Sequence, residues 1–145
     1  MTFSAGDIVT AKALLDLEVK ARRVATQTLT NSATTTLLYD TEDTDIGGFF
    51  TPTSGTFTVP TGGDGLYAVQ VNMLLSANIG TARAFIECTM GGEIFRQPFG
   101  TSEDRASASF TKRLMAAATI VTACFQSSGS NKTWTGSITI ARVKL

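Results

Sequence analysis

The sequence predicts an all-β protein, a sandwich of about eight to ten short antiparallel strands behind one short N-terminal α-helix. Three observations lead there. From Val24 onward, apolar residues recur mainly at every second position, the period of a strand with one buried face. The apolar runs are broken by turn-forming stretches such as Gly47-Gly48, Thr61-Gly62-Gly63-Asp64-Gly65, Gly91-Gly92 and Ser127-Ser128-Gly129-Ser130-Asn131. Only 17% of the 145 residues are charged, against about 25% in ordinary soluble domains. Thr, Ser, Ala and Gly fill their place, which favours strands and turns over long charged helices.

Along the chain, Thr10 to Arg22 collects strong helix formers, with Thr10 placed to cap. Leu14, Leu17, Ala21 and Val24 would align as a narrow apolar stripe on such a helix. Residues 1–21 are therefore expected to be a helical attachment segment, with Leu14, Leu17 and Ala21 as its contacts, and residues 22–145 the sandwich. Strands are expected at residues 23–29, 34–39, 56–59, 66–76, 82–90, 93–97, 106–115, 119–126 and 133–144. Thr56–Val59 and Leu66–Leu75 read as a hairpin through the Gly-rich stretch between them. In the second of these, Tyr67, Val69, Val71, Met73 and Leu75 form the core face, and Ala68, Gln70, Asn72 and Leu74 the other. Ile138 and Ile140 give the last strand a similar apolar side, and Trp134 shares their parity. From Ala116 to Phe125 both faces are apolar or small. That strand is either central in the core or covered by another subunit, which makes Ile120, Val121 and Phe125 candidate interface residues.

Composition also excludes functions. There is no histidine, so Ser-His and Cys-His couples and most zinc sites are absent. Cys88 and Cys124 lie far apart in apolar runs and read as buried thiols. Twelve basic residues balance twelve acidic ones, leaving no long-range field to draw the chain to nucleic acid or an anionic membrane. No apolar run approaches bilayer length, and the first residues lack the pattern of a signal peptide. A non-catalytic protein made in the cytoplasm, without membrane insertion, is expected.

The segment Phe57-Thr58-Val59-Pro60-Thr61-Gly62-Gly63-Asp64-Gly65-Leu66-Tyr67, followed by an alternating strand, resembles the motif of the globular head of complement subcomponent q and the tumour-necrosis-factor-like superfamily. Pro60 ends one strand, Gly65 permits the turn and Tyr67 opens the next. Ala21-Arg22-Arg23-Val24, Asn31 to Leu37, Tyr39 to Asp45 and Asn78 to Arg83 resemble versions of this domain in tailed-bacteriophage virion proteins. Phe3 to Ala11 is similar to the start of many phage tail and fibre proteins. The sequence departs from the family in the inserted Gly62-Gly63-Asp64 and in lacking a collagen-like stalk. The resemblance implies a homotrimeric jelly roll made in a host cytoplasm and placed on a virion, as tail tip, fibre, head fibre or capsid decoration. Its partners would be other virion proteins and a host-surface glycan. A free lectin-like module and a glycan-cleaving enzyme are the alternatives.

Asp40, Glu42, Asp43 and Asp45, followed by Gly47-Gly48, offer hard oxygen ligands that suit Ca²⁺, although the run lacks the EF-hand spacing. The simpler reading is a solvated loop whose carboxylates meet Arg22, Arg23 or Arg83 at the trimer edge; otherwise no cofactor is expected. Glu103-Asp104-Arg105 is a charged tip, where a glycosidase pair would need two carboxyls held about 5–10 Å apart. Phe49 and Phe50 are a candidate aromatic anchor for a partner or sugar, or fold back over the sandwich. With Glu103, Asp104 and Arg105 they form the expected recognition loops.

Overall fold

The computed structural model describes residues 16–51, 53–80, 82–99 and 104–143. Ten strands make up these residues, all paired antiparallel: β1 (Glu18–Leu29), β2 (Ala33–Thr36), β3 (Thr41–Ile46), β4 (Thr56–Thr58), β5 (Gly65–Leu75), β6 (Ala84–Met90), β7 (Glu93–Pro98), β8 (Arg105–Leu114), β9 (Thr119–Gln126) and β10 (Lys132–Arg142). A front sheet runs β3-β1-β10-β5-β8 and a back sheet β2-β9-β6-β7, with β4 on the same edge of β9 as β2. The two sheets form a jelly-roll sandwich.

The core follows the period-two pattern. Tyr67, Val69, Val71, Met73 and Leu75 of β5 all point inward and are buried, as are Trp134, Ile138 and Ile140 of β10. From the back sheet they meet Phe57 of β4, Ile86, Cys88 and Met90 of β6, and Ile120 and Cys124 of β9. Strand β9 is thus doubly apolar because it is central, flanked by β6 on one side and by β2 and β4 on the other. Its inward Thr122 hydroxyl meets that of Tyr39 at 2.8 Å, and Gln126 donates to the carbonyls of Leu29 and Ser130. Neither buried polar group is left without a partner.

Three expectations change. The helix does not extend over residues 18–22, because β1 begins at Glu18 and alternates Leu17, Val19 and Ala21 into the core at 0–1% exposure. Helix propensity is worth tenths of a kcal/mol per residue, whereas burying a Leu or Val is worth about 1.5–3 kcal/mol, so packing wins. The sandwich therefore starts before residue 22. The acidic run expected as a loop is instead the edge strand β3, whose charges suit an edge that must not pair with another chain. Finally, Thr56–Val59 and Leu66–Leu75 are not a hairpin. Strand β4 pairs with β9 in the back sheet and β5 with β8 and β10 in the front sheet, so residues 59–64 cross between sheets. The Gly63 amide donates to the Pro60 carbonyl, and the Tyr67 hydroxyl donates to the Gly63 carbonyl, bracing the crossing.

The new position of Leu17 and Val19 makes a truncation informative. Starting the chain at residue 22 forfeits about 1.5–3 kcal/mol for each of the two, a large part of the 5–15 kcal/mol that holds a domain of this size. Circular dichroism should show no cooperative unfolding for that truncation, and a cooperative transition for a chain starting at residue 16.

Candidate functional site

With both inner faces committed to the core, function falls to the outward faces and the two ends. At one end, the near end, Leu17 leads into β1, its carbonyl taking the Arg142 amide at 2.9 Å. At the opposite, far end lie the turn at Asn31, the segment after Leu75, the start of β8 and the turn from Ser127 to Asn131. The far-end turns brace one another. The Asn31 amide donates to Asn131 Oδ1 at 2.9 Å, and the Gly129 amide donates to Asn31 Oδ1 at 2.8 Å.

The outward face of the front sheet is uncharged across β10, β5 and the middle of β8, with Lys20 and Arg22 of β1 along one side. Strand β10 contributes Thr135, Ser137 and Thr139, β5 contributes Ala68, Gln70 and Asn72, and β8 contributes Ser107 and Ser109. Leu74 rises from this face, 43% exposed. Shallow depressions of about 300 and 430 Å³ flank it, sharing Asn72, Met73 and Arg105. Gly136 lines one of them; a Cβ there would stand 2.1 Å from the Asn72 carbonyl oxygen, so only glycine fits between β10 and β5. Apart from Arg105, which lies opposite Leu74, the side chains around this exposed leucine are small and uncharged and let a second backbone approach closely, and charge is depleted at the centre of protein interfaces.

The expected attachment and interface residues divide. Leu14 lies outside the described residues. Leu17 and Ala21 are 1% exposed and serve the core, so they are not docking contacts. Ile120 is buried opposite Phe57 and is also a core residue, because its parity on β9 is inward. Val121 and Phe125 are half-buried on the outward face of the back sheet.

The expected recognition residues divide too. Phe49 and Phe50 are 2% and 8% exposed. The Phe49 ring packs edge-on against Tyr67 and the Phe50 ring stacks on Phe57, closing the sandwich rather than meeting a partner. Asp45 holds them there, its carboxylate accepting the amides of Gly48, Phe49 and Phe50 at 2.8–3.1 Å. Glu103 lies outside the described residues. Asp104 is exposed and its carbonyl accepts the Leu75 amide at 2.7 Å, while Arg105 opens β8, exposed and opposite Leu74.

The four candidate Ca²⁺ ligands do not converge. Asp40 accepts the amides of Val24 and Ala25, both at 2.9 Å, where β1 bulges between Arg23 and Gln27. Asp43 takes a bidentate pair from Arg22 at 2.7 and 2.8 Å. Asp45 serves the loop just described, and Glu42 is exposed on the edge strand. Among the described residues no group of three or more acidic, Cys or His side chains is placed to hold a metal ion. The pairing expected for these carboxylates occurs with Arg22 and Arg23 within one chain.

Burial raises the Asp40 pKa, but the Val24 and Ala25 amides, the Thr41 hydroxyl and Arg23 outweigh it and hold the carboxyl below its usual range. The hydrogen bond from Arg22 does the same for Asp43. Burial pushes the Cys88 and Cys124 thiols up to about 12, so both are neutral at pH 7 and neither is a nucleophile.

No protein-family model matches the sequence, and no curated protein matches it. Solved structures do match its fold. PRD1 vertex protein P5 superimposes with a TM-score of 0.69 at 13% identity, over 89% of this chain and 98% of that one. The globular domain of the zebrafish complement 1qA protein gives 0.60 at 11%, over 89% and 98%. Murine APRIL gives 0.58 at 11%, over 89% and 100%. The chain has the jelly-roll fold that the sequence motif around Pro60, Gly65 and Tyr67 resembles.

Two features of this surface had no clear local signal. Leu74 was visible only as an apolar residue on the polar side of β5. Stacking of Arg83 over Phe85 and Phe125 joins residues about 40 positions apart, which spacing along the chain does not reveal.

A carboxyl with a depressed folded pKa stabilises the protein above its unfolded pKa of about 3.9 and loses that contribution as pH falls through the folded value. Stability should therefore drop as pH falls below about 4. Asp40→Asn should cost about 1.5–3 kcal/mol at pH 7 through its charge-assisted amide bonds and flatten the acid limb, as read by urea unfolding between pH 7 and 2.

Proposed function

We propose that this chain is a structural protein of a virus particle: a homotrimeric jelly roll, fixed to the particle from its near end and displaying its far end toward the host surface. Its work is assembly and display rather than catalysis. The observation that carries this reading is the likeness of fold to PRD1 vertex protein P5 over 89% of the chain. Of the placements the sequence leaves open, a vertex protein favours the capsid surface over a tail fibre.

The front sheet supplies the trimer contact in this reading. Across β10, β5 and the middle of β8 its outward face is uncharged, and Leu74 supplies an apolar anchor beside the depressions. A closed three-fold ring also satisfies the contact without leaving it open to filament growth. The described chain begins beside Leu17, at the end opposite the mutually braced turns at Asn31 and Asn131. Attachment through the N-terminal segment thus points those turns outward, and turns held by a rigid scaffold are where recognition concentrates.

Light scattering should give three times the 15.3 kDa chain mass, and Leu74→Asp should reduce it to the mass of one chain while preserving the β-sheet spectrum. A wild-type monomer at micromolar concentration contradicts the trimer. Mass spectrometry of purified particles should recover this chain in stoichiometric amount; particles that lack it contradict the virion placement.

A further inference from the structure

The outward face of the back sheet carries an aromatic feature that lies outside the core cluster and away from the proposed trimer face. Phe85 of β6 lies directly opposite Phe125 of β9, their rings stacked at 5.1 Å and 11°. The Arg83 guanidinium sits 5.4 Å from the centre of the Phe85 ring and 5.7 Å from that of Phe125. Arg96 lies 5.3 Å from the Phe85 ring. Two cations thus share one aromatic platform.

They differ in what neutralises them. Arg96 donates through Nε to Glu87 at 2.8 Å. Arg83 is exposed and forms no ion pair with the described residues. Its backbone is nonetheless fixed, because the Ser127 amide and hydroxyl both donate to its carbonyl, at 3.0 and 3.2 Å. A guanidinium held over aromatic rings without an ion-pair partner keeps N–H donors for another group, and its planar fork matches a carboxylate bidentately. Stacking also removes rotamer freedom before binding, which lowers the entropic cost of capture.

The surroundings indicate what bears that carboxylate. Across β9 from the platform, Thr34 and Thr36 of β2 are exposed opposite Phe125 and Ala123, presenting hydroxyls rather than charge. Strand β6 is paired on both sides at this point, so no peptide strand can add to the sheet beside Arg83 and Phe85; the back sheet's edges are β2 and β7. A flat face with one positioned guanidinium, unpaired among the described residues, hydroxyls of β2 on one side of it and the neutralised Arg96–Glu87 pair on the other suits an extended sugar chain. It also lies at the far-end half of the sandwich, where β6 begins and β9 ends.

We propose that Arg83, held on the Phe85 and Phe125 rings, binds the carboxylate of an acidic polysaccharide. This rests on the display function proposed above and names the class of host-surface ligand for it. The test uses the full-length trimer and polygalacturonate as the probe, with dextran as the neutral polymer and polyglutamate as the acidic peptide. Polygalacturonate should bind and dextran should not, and polyglutamate should bind at least tenfold more weakly. Arg83→Gln should weaken polygalacturonate binding at least tenfold. Arg83→Lys keeps the charge but loses the fork and should also weaken it severalfold, with the unfolding temperature and trimer mass of both variants unchanged. Unchanged binding by Arg83→Gln, no binding by the wild type, or equal binding of polyglutamate would each overturn the proposal. The two readings fail separately. A chain present on particles that ignores polygalacturonate defeats only the glycan site, and a chain that binds it but is absent from particles defeats only the virion placement.

Discussion

Tyr39 stands between the two sheets with no exposed surface. Its ring meets the edge of Trp134 at 5.7 Å and that of Phe57 at 5.6 Å, and its hydroxyl shares a hydrogen bond with Thr122 at 2.8 Å. Burial raises its pKa far above that of an ordinary tyrosine, so it stays neutral and the hydrogen bond persists. One residue thereby ties β10 of the front sheet to β4 and β9 of the back sheet. Gln27 extends the tie, accepting the Trp134 indole N–H and the Leu38 amide and donating to the Thr36 carbonyl. With Trp134 and Thr122 turned inward, alternation sends Thr135 and Ser137 to the front surface and Val121, Ala123 and Phe125 to the back. The composition of both outer faces is a consequence of how the core closes.

Much of this was legible in the sequence where one face of a strand is apolar and the other is not. The inward face of β5 and the parity of Trp134, Ile138 and Ile140 are as expected for that reason. Where two signals compete, the local one misleads. Leu17 and Ala21 fit a helical stripe and an alternating strand equally well, and only the core, supplied by distant residues, decides for the strand. Glu42, Asp43 and Asp45 look like a solvated loop because their strand is an edge, where charge protects against wrong pairing. The turn chemistry of Thr61 to Gly65 is the same whether the chain returns in one sheet or crosses to the other, and the partner of β4 lies some 60 residues away on β9. Phe49 and Phe50 read either as an exposed anchor or as rings folded back over the sandwich, and nothing nearby showed that the Asp45 carboxylate would turn their amides and decide for the second.

The candidate sites were less legible than the fold for a related reason. Leu74 could be placed on the outer face by counting, but its depressions are made by β8 and β10. The Arg83 platform exists only because β6 and β9 bring Phe85 and Phe125 side by side. Surfaces built across strands record long-range register, which a single sequence encodes only through the whole fold. In the proposed assembly these surfaces divide the work: the front face makes the trimer, the near end makes the attachment, and the back face and far end remain for the host.

Electron cryomicroscopy of the purified particle, averaged about the local three-fold axis, tests this arrangement most directly. The account predicts front-sheet faces with Leu74 around the axis, the end bearing Leu17 nearest the particle, and Arg83 on the open flank toward the far end. Density with back sheets around the axis, or with the turns at Asn31 and Asn131 against the particle, would contradict it.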